Sequence, residues 1–129
     1  MSTAEVVRRY VDALNRRDLS TMLELLDPDV ELITRRGPKR GHDAVRAWLG
    51  EPYAELDVER IVDRIQVAGH TVVASGRIRH RWRETGEIGD ESEITVLAQV
   101  EGERIVRVQT FDDEASALAA AGLPAEDAR

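Results

Sequence analysis

The feature that most narrows what this chain can fold into is a block of helical periodicity placed ahead of nearly all of its strands. Val7, Tyr10, Val11 and Leu14 recur at i, i+3, i+4 and i+7, which lays one apolar stripe along a helix and turns Arg8, Arg9, Asp12 and Arg16 to water. A second stripe of Leu19, Met22, Leu23 and Leu26 starts directly after Asp18, whose short carboxylate can accept hydrogen bonds from the free amides of a helix start. Asp27-Pro28 ends it, because the residue before a proline is pushed out of the helical region. A third short helix follows Gly41, with Val45, Trp48 and Leu49 on one side and Gly50 as its stop. The first two helices are expected over about Thr3 to Arg16 and Leu19 to Leu26, joined too closely to be anything but neighbours.

The period then changes. Val30 to Ile33 reads as a brief strand, and Thr34 to Gly41, rich in Arg, Lys, Gly and Pro, as a loop. Leu56 to Val67 has a helical stripe in Val58, Ile61, Val62 and Ile65. Its β-branched content and the Ala68-Gly69-His70 turn favour a strand with a bulge between Val58 and Ile61. From Thr71 to Arg83 the alternation is strict: Val72, Ala74, Gly76, Ile78, His80 and Trp82 share one face, and Val73, Ser75, Arg77, Arg79, Arg81 and Arg83 the other. Glu84 to Asp90 turns into a strand from Ser92 to Val100, Glu101-Gly102-Glu103 turns again, and Arg104 to Phe111 completes an antiparallel meander. Asp112 or Asp113 caps a last helix, Glu114 to Ala121, stopped by Gly122 and Pro124.

At 129 residues this is one domain, expected over 1–123 with a frayed tail at 124–129. The absence of cysteine removes disulfides, thiolate metal sites and a cysteine nucleophile. A net charge of -7 opposes the attraction to phosphate that underlies non-specific nucleic-acid binding. MSTAEVVRRY is not a signal peptide, and no apolar run is long enough for a membrane helix, so the chain reads as cytoplasmic with no membrane partner. His42, His70 and His80 lack the paired spacing of a metal site, and no glycine-rich phosphate loop or nucleophile elbow occurs, so neither metal nor cofactor is expected.

Helix, helix, short strand, helix and meander, with an aromatic on the first helix, resembles the nuclear transport factor 2-like superfamily in its SnoaL-like and ketosteroid-isomerase-like branch. VVRRYVDALNRRDLSTMLELLDPDVEL, GHDAVRAWL and GERIVRVQTFDD carry the likeness, which spans about Val6 to Leu123. The resemblance implies an α+β fold: a cone-shaped, curved antiparallel sheet packed on three N-terminal helices, with a short C-terminal helix, a cavity at the open end and frequent dimerisation through the sheet. Packing helices on one face of a sheet agrees with the amphipathic pattern.

The same resemblance sorts the chemistry. Tyr10 falls where ketosteroid isomerases keep the tyrosine that donates to a developing oxyanion; its alternative is a core tyrosine whose hydroxyl reaches a polar group at the cavity edge. The isomerase also needs a carboxylate base and a protonated acid, and here Thr34 and Thr95 fall at those places. The Asp-Arg-Asp array of epoxide hydrolases maps onto Arg79, Arg77 and Thr110, so its carboxylates are missing too. The arginine face has two readings. It is a solvated convex surface, or it points into the cone, where Arg77, Arg79 and Arg81 with Glu93, Thr95 and Thr110 join Tyr10 in binding a small anion. In that second reading Glu93 pairs with an arginine. His80, opposite the arginines, becomes an acid–base residue only if the two faces are exchanged.

Two functions follow. One is a SnoaL-like cavity protein, a diverged isomerase, lyase or hydrolase, that binds a small organic molecule, anionic if the arginine face points into the cone. The other is a non-catalytic dimeric binding or accessory domain whose cavity is closed by Trp48, Met22 and Leu97. A homodimer is expected through the face bearing Val72, Ile78, Trp82, Ile94 and Val96, which is too apolar to stand alone in water.

Overall fold

The computed structural model describes residues 2–34, 37–50 and 56–123; the expected frayed tail lies outside them. The elements follow in the order α1 (Thr3–Asn15), α2 (Leu19–Leu25), β1 (Leu26–Thr34), β2 (Gly37–Arg40), α3 (His42–Gly50), β3 (Leu56–Ala68), β4 (Thr71–Trp82), β5 (Ile88–Glu101), β6 (Arg104–Phe111) and α4 (Glu114–Ala121). The strands form one curved, unclosed sheet ordered β2-β1-β6-β5-β4-β3, with α1, α2 and α3 N-terminal to most of it and α4 at the end. This is the α+β cone that the sequence suggests.

Short polar side chains start the helices. Ser2 accepts from the Glu5 amide at 3.2 Å, Asp18 from the Thr21 amide at 3.2 Å, and Asp113, rather than Asp112, from the Ser116 amide at 2.7 Å. Such caps satisfy amides that have no carbonyl partner within the helix. Gly122 closes α4 in the left-handed region, φ 74°, where a residue lacking Cβ is favoured.

The strands depart from the sequence reading in five ways, one being that β5 begins at Ile88, inside the expected Glu84 to Asp90 turn. β1 is longer than Val30–Ile33 and begins where α2 stops, at Leu26. The expected loop after it contains β2, which pairs antiparallel with β1 from Thr34↔Gly37 to Glu31↔Arg40; Arg35 and Arg36 lie outside the described residues. β1 also runs parallel to β6, so the sheet is mixed rather than antiparallel throughout. Because β1 and β6 are far apart in sequence, no local pattern encodes their pairing. The bulge on β3 falls between Val62 and Arg64, not between Val58 and Ile61. The alternation Val58, Arg60, Val62 therefore holds up to the bulge and resumes, phase-shifted, at Ile65.

Gly76 of β4 sits opposite that bulge. A Cβ there would run into the Ile61 carbonyl group, so the close approach of the two backbones, and with it the bend of the sheet, requires glycine.

The core lies between the helices and one face of the sheet. Val6, Val7, Tyr10, Ala13 and Leu14 of α1 pack with Met22, Leu26, Val30, Val72, Ala74, Ala98, Val100 and Ile105. A smaller cluster on the other face joins Val73 to Ala117 and Leu118 of α4, with Phe111 and Leu123 against it. The face of β4 that carries Val72 and Ala74 is thus the concave one, and the arginine face is convex. Of the apolar residues that motivated a homodimer, Val72, Ile94 and Val96 face the helices or the cavity, whereas Trp82 remains exposed.

Candidate functional site

Between α1 and the concave face lies a cavity of about 100 Å³, room for a small organic group, since a single water needs roughly a tenth of that space. α1 supplies Val7, Tyr10, Val11 and Leu14; β1 supplies Leu32, Ile33 and Thr34; β3 supplies Arg60, Ile61 and Val62. β4 forms the floor from Ala74 to Arg77, and Ile94, Val96, Ala98, Val108 and Thr110 complete it. The register explains the grouping. Ala74 pairs with Val96, and Val96 in turn with Thr110, so the three share one row of side chains.

The polar groups are few. Tyr10 is 5% exposed, and burial pushes its phenol up to about 12, against a partial opposing pull from the positive charge of Arg60. At neutral pH it is a protonated donor. Arg60 is tied to α1 through its backbone: Asn15 Nδ2 donates to the Arg60 carbonyl and Asn15 Oδ1 accepts from its amide, both at 2.8 Å. Thr34 donates to the Gly37 carbonyl at 3.3 Å. Among the described residues, no Asp, Glu or His lines the cavity.

The expected binding residues divide between two places. Tyr10 and Thr110 meet in the cavity. Arg77 adjoins the cavity along the β4 floor but directs its guanidinium to Asp63 and Glu91; with Glu93, Thr95, Asp63, Arg64, Asp112 and Asp113 it lines a groove of about 370 Å³ on the convex face, beneath the start of α4. Arg79 and Arg81 extend along the same face. The expectation that these arginines join Tyr10 therefore fails in geometry, because α1 and α4 cover opposite faces of the sheet. Glu93 is not the arginines' partner either. Arg77 grips Asp63 through two bonds, Nε–Oδ2 at 3.1 Å and Nη2–Oδ1 at 3.2 Å, and reaches Glu91 at 3.3 Å. Arg79 binds Glu91 at 2.9 and 3.1 Å and Glu59 at 3.5 Å. Arg81 donates to the Gly86 carbonyl at 3.0 Å, and Arg83 to Asp57 at 3.0 Å. The Asp63 carboxylate, with a smaller contribution from Glu91, raises the Arg77 guanidinium further above its ordinary value, while Arg79, then Arg77, holds Glu91 below the usual carboxylate range.

Thr95, set where the isomerase acid would be, is buried but faces away from Tyr10, since its row is Ser75, Thr95 and Phe111. With the faces exchanged, His80 is on the concave side. It lies beyond the cavity, however, in the row of Val58 and Asp90, with Nδ1 3.8 Å from Asp90 Oδ2. The side chains proposed to close the cavity do not do so as a group: Met22 is in the helix core, Leu97 is buried on the convex side, and that of Trp48 is outside what is described. Arg60 is the cavity residue that the sequence reading missed. The alternation Val58, Arg60, Val62 was the available signal, masked by the equally good helical stripe.

Comparison with known proteins agrees with the fold. Residues 7–108 match the family described as the SnoaL-like domain. A nuclear transport factor 2-like protein of unknown function from Burkholderia pseudomallei is 25% identical, with a TM-score of 0.75 over 92% of this chain and 97% of that one. A putative polyketide cyclase from Xanthomonas campestris superposes with a TM-score of 0.75 at 19% identity, over 92% and 96% of the two chains. A protein with a ketosteroid isomerase-like fold from Catenulispora acidiphila, solved with trimethylamine, gives 0.73 at 20% identity, over 95% and 96%. No curated protein matches this chain. Among the described residues, no helix is long and apolar enough to cross a membrane, and no cluster of three or more His, Asp or Glu side chains could hold a metal ion.

Proposed function

This chain belongs to the SnoaL-like domain family, and from that premise we propose that its cavity binds a small, largely apolar organic molecule through an oxygen acceptor set against Tyr10. The observation that carries this reading is a buried, protonated phenol in a mostly apolar cavity. Burial of apolar ligand surface supplies affinity, and a buried donor supplies orientation. The same donor would stabilise negative charge developing on a bound carbonyl oxygen, the one contribution to isomerase, lyase or hydrolase chemistry that the cavity's described side chains support. They offer no carboxylate or imidazole to take a proton, so binding is the primary activity proposed. Every group involved comes from one copy of the chain.

A thermal-shift panel of carboxylates, polyketide-like aromatics and steroids tests it. A ligand at one hundred times its Kd stabilises the native state by about 2.7 kcal/mol, and Ile94→Trp, which fills the cavity from β5, should abolish the shift. If no compound raises Tm, or if Ile94→Trp responds as the wild type does, the reading is wrong.

A further inference from the structure

Arg60 extends what the cavity can recognise. It reaches the cavity from β3, the edge strand of the sheet, where its neighbours along and across the strand, Val58, Val62 and Ile78, are all apolar. An edge strand lacks a neighbour to fix its backbone on one side. Asn15, the last residue of α1, substitutes for that neighbour with a donor and an acceptor to the same residue. The helix that carries the Tyr10 hydroxyl therefore also sets the origin of the Arg60 side chain. The charge of Arg60 is felt at Tyr10, where it offsets part of the effect of burial.

Building on the cavity-binding reading, we propose that the ligand is an organic anion, an apolar ring or chain bearing a carboxylate or enolate oxygen. Arg60 is the specificity-determining residue and Asn15 the positioning residue. A guanidinium and a phenol converging on one oxyanion give two charge-assisted hydrogen bonds, whereas the guanidinium has no acceptor and repels an ammonium. The convex arginines are not equivalent, since they lie on the face of the sheet away from Tyr10.

Isothermal titration of the full chain with 2-naphthoate and its neutral isostere 2-naphthamide tests the proposal. Wild-type protein should prefer the anion by about tenfold or more, and the preference should shrink as salt rises. Arg60→Gln should bring the ratio near one with the amide's affinity kept, and Arg60→Lys should restore most of it. Asn15→Leu should lower the ratio to an intermediate value, which a merely structural loss, weakening both ligands alike, would not do. Arg79→Met should leave the ratio unchanged. Equal wild-type affinities for the two probes, with Ile94→Trp still blocking both, would overturn the anion assignment and leave the cavity reading standing. Binding of neither probe, or binding that Ile94→Trp does not weaken, would overturn both. Should Arg60→Gln fail to fold, the wild-type ratio and its salt dependence decide the matter.

Discussion

The two faces of the sheet use arginine and its surroundings in opposite ways. On the convex side, Arg77, Arg79 and Arg83 are met by carboxylates of the flanking strands, so the row forms a ladder of exposed ion pairs. On the concave side one arginine, Arg60, enters a cavity that is otherwise nearly apolar and whose described lining holds no carboxylate. A run of like charges on a strand is thus a poor guide to a site when its neighbours carry the opposite sign. A single cation beside a buried phenol is a better one.

The largest expected effect falls on Gly76, which belongs to both faces. Gly76→Ala places a methyl group against the backbone at Ile61, where no side chain can move aside. We expect a loss of about 3 kcal/mol or more in chemical denaturation, because the bend between β3 and β4 must open. A loss below about 1 kcal/mol would mean that the bulge is not fixed by this contact.

Tyr10 comes next. Its pKa is raised in the folded protein from 10.0 to about 12, so the unfolded chain loses this proton first as pH rises. Stability is unaffected below pH 10 and should fall between about pH 10 and 12, by roughly 2–3 kcal/mol in all. Tyr10→Phe should remove that alkaline limb while keeping the packed ring. An unchanged limb would place the phenol in water.

The convex ladder should matter least. Arg79→Met should cost about 1 kcal/mol or less, since exposed ion pairs are screened by solvent, and should leave cavity binding intact. Its pH signature has the opposite sense to that of Tyr10. Glu91 is held below its ordinary value of 4.5 by Arg79 and Arg77, so the stabilisation is present above that pH and is lost as pH falls through the lower folded value. Glu91→Gln should flatten this acid limb, and a limb that stays steep would assign the acid sensitivity elsewhere.

Much of the fold was legible because it is written locally. The stripe of Val7, Tyr10, Val11 and Leu14, the caps at Asp18 and Asp113, and the alternation along β4 each depend on neighbours a few residues apart. The parallel pairing of β1 with β6 was not legible, since it joins segments far apart in the chain. Nor was the direction of the β4 faces. Strict alternation fixes which residues share a side but not which side meets the helices, and that depends on where α1 and α4 dock. Tyr10 and Thr110, two of the expected residues, both line the cavity, and each lies on an element whose periodicity is unambiguous. Arg60 was missed because Val58, Ile61, Val62 and Ile65 make an equally good helical stripe, and the bulge was expected before Ile61 rather than after Val62, where it lies.

The central claim is that this protein binds its ligand on the concave face and that the convex arginines are structural. An amide and methyl NMR titration with 2-naphthoate tests it most directly. The account predicts shifts concentrated at Tyr10, Arg60, Val96, Ala98 and Thr110, with Glu59, Arg79 and Glu91 unmoved. Shifts concentrated instead at Arg77, Arg79 and Glu91, with Tyr10 and Val96 silent, would contradict it.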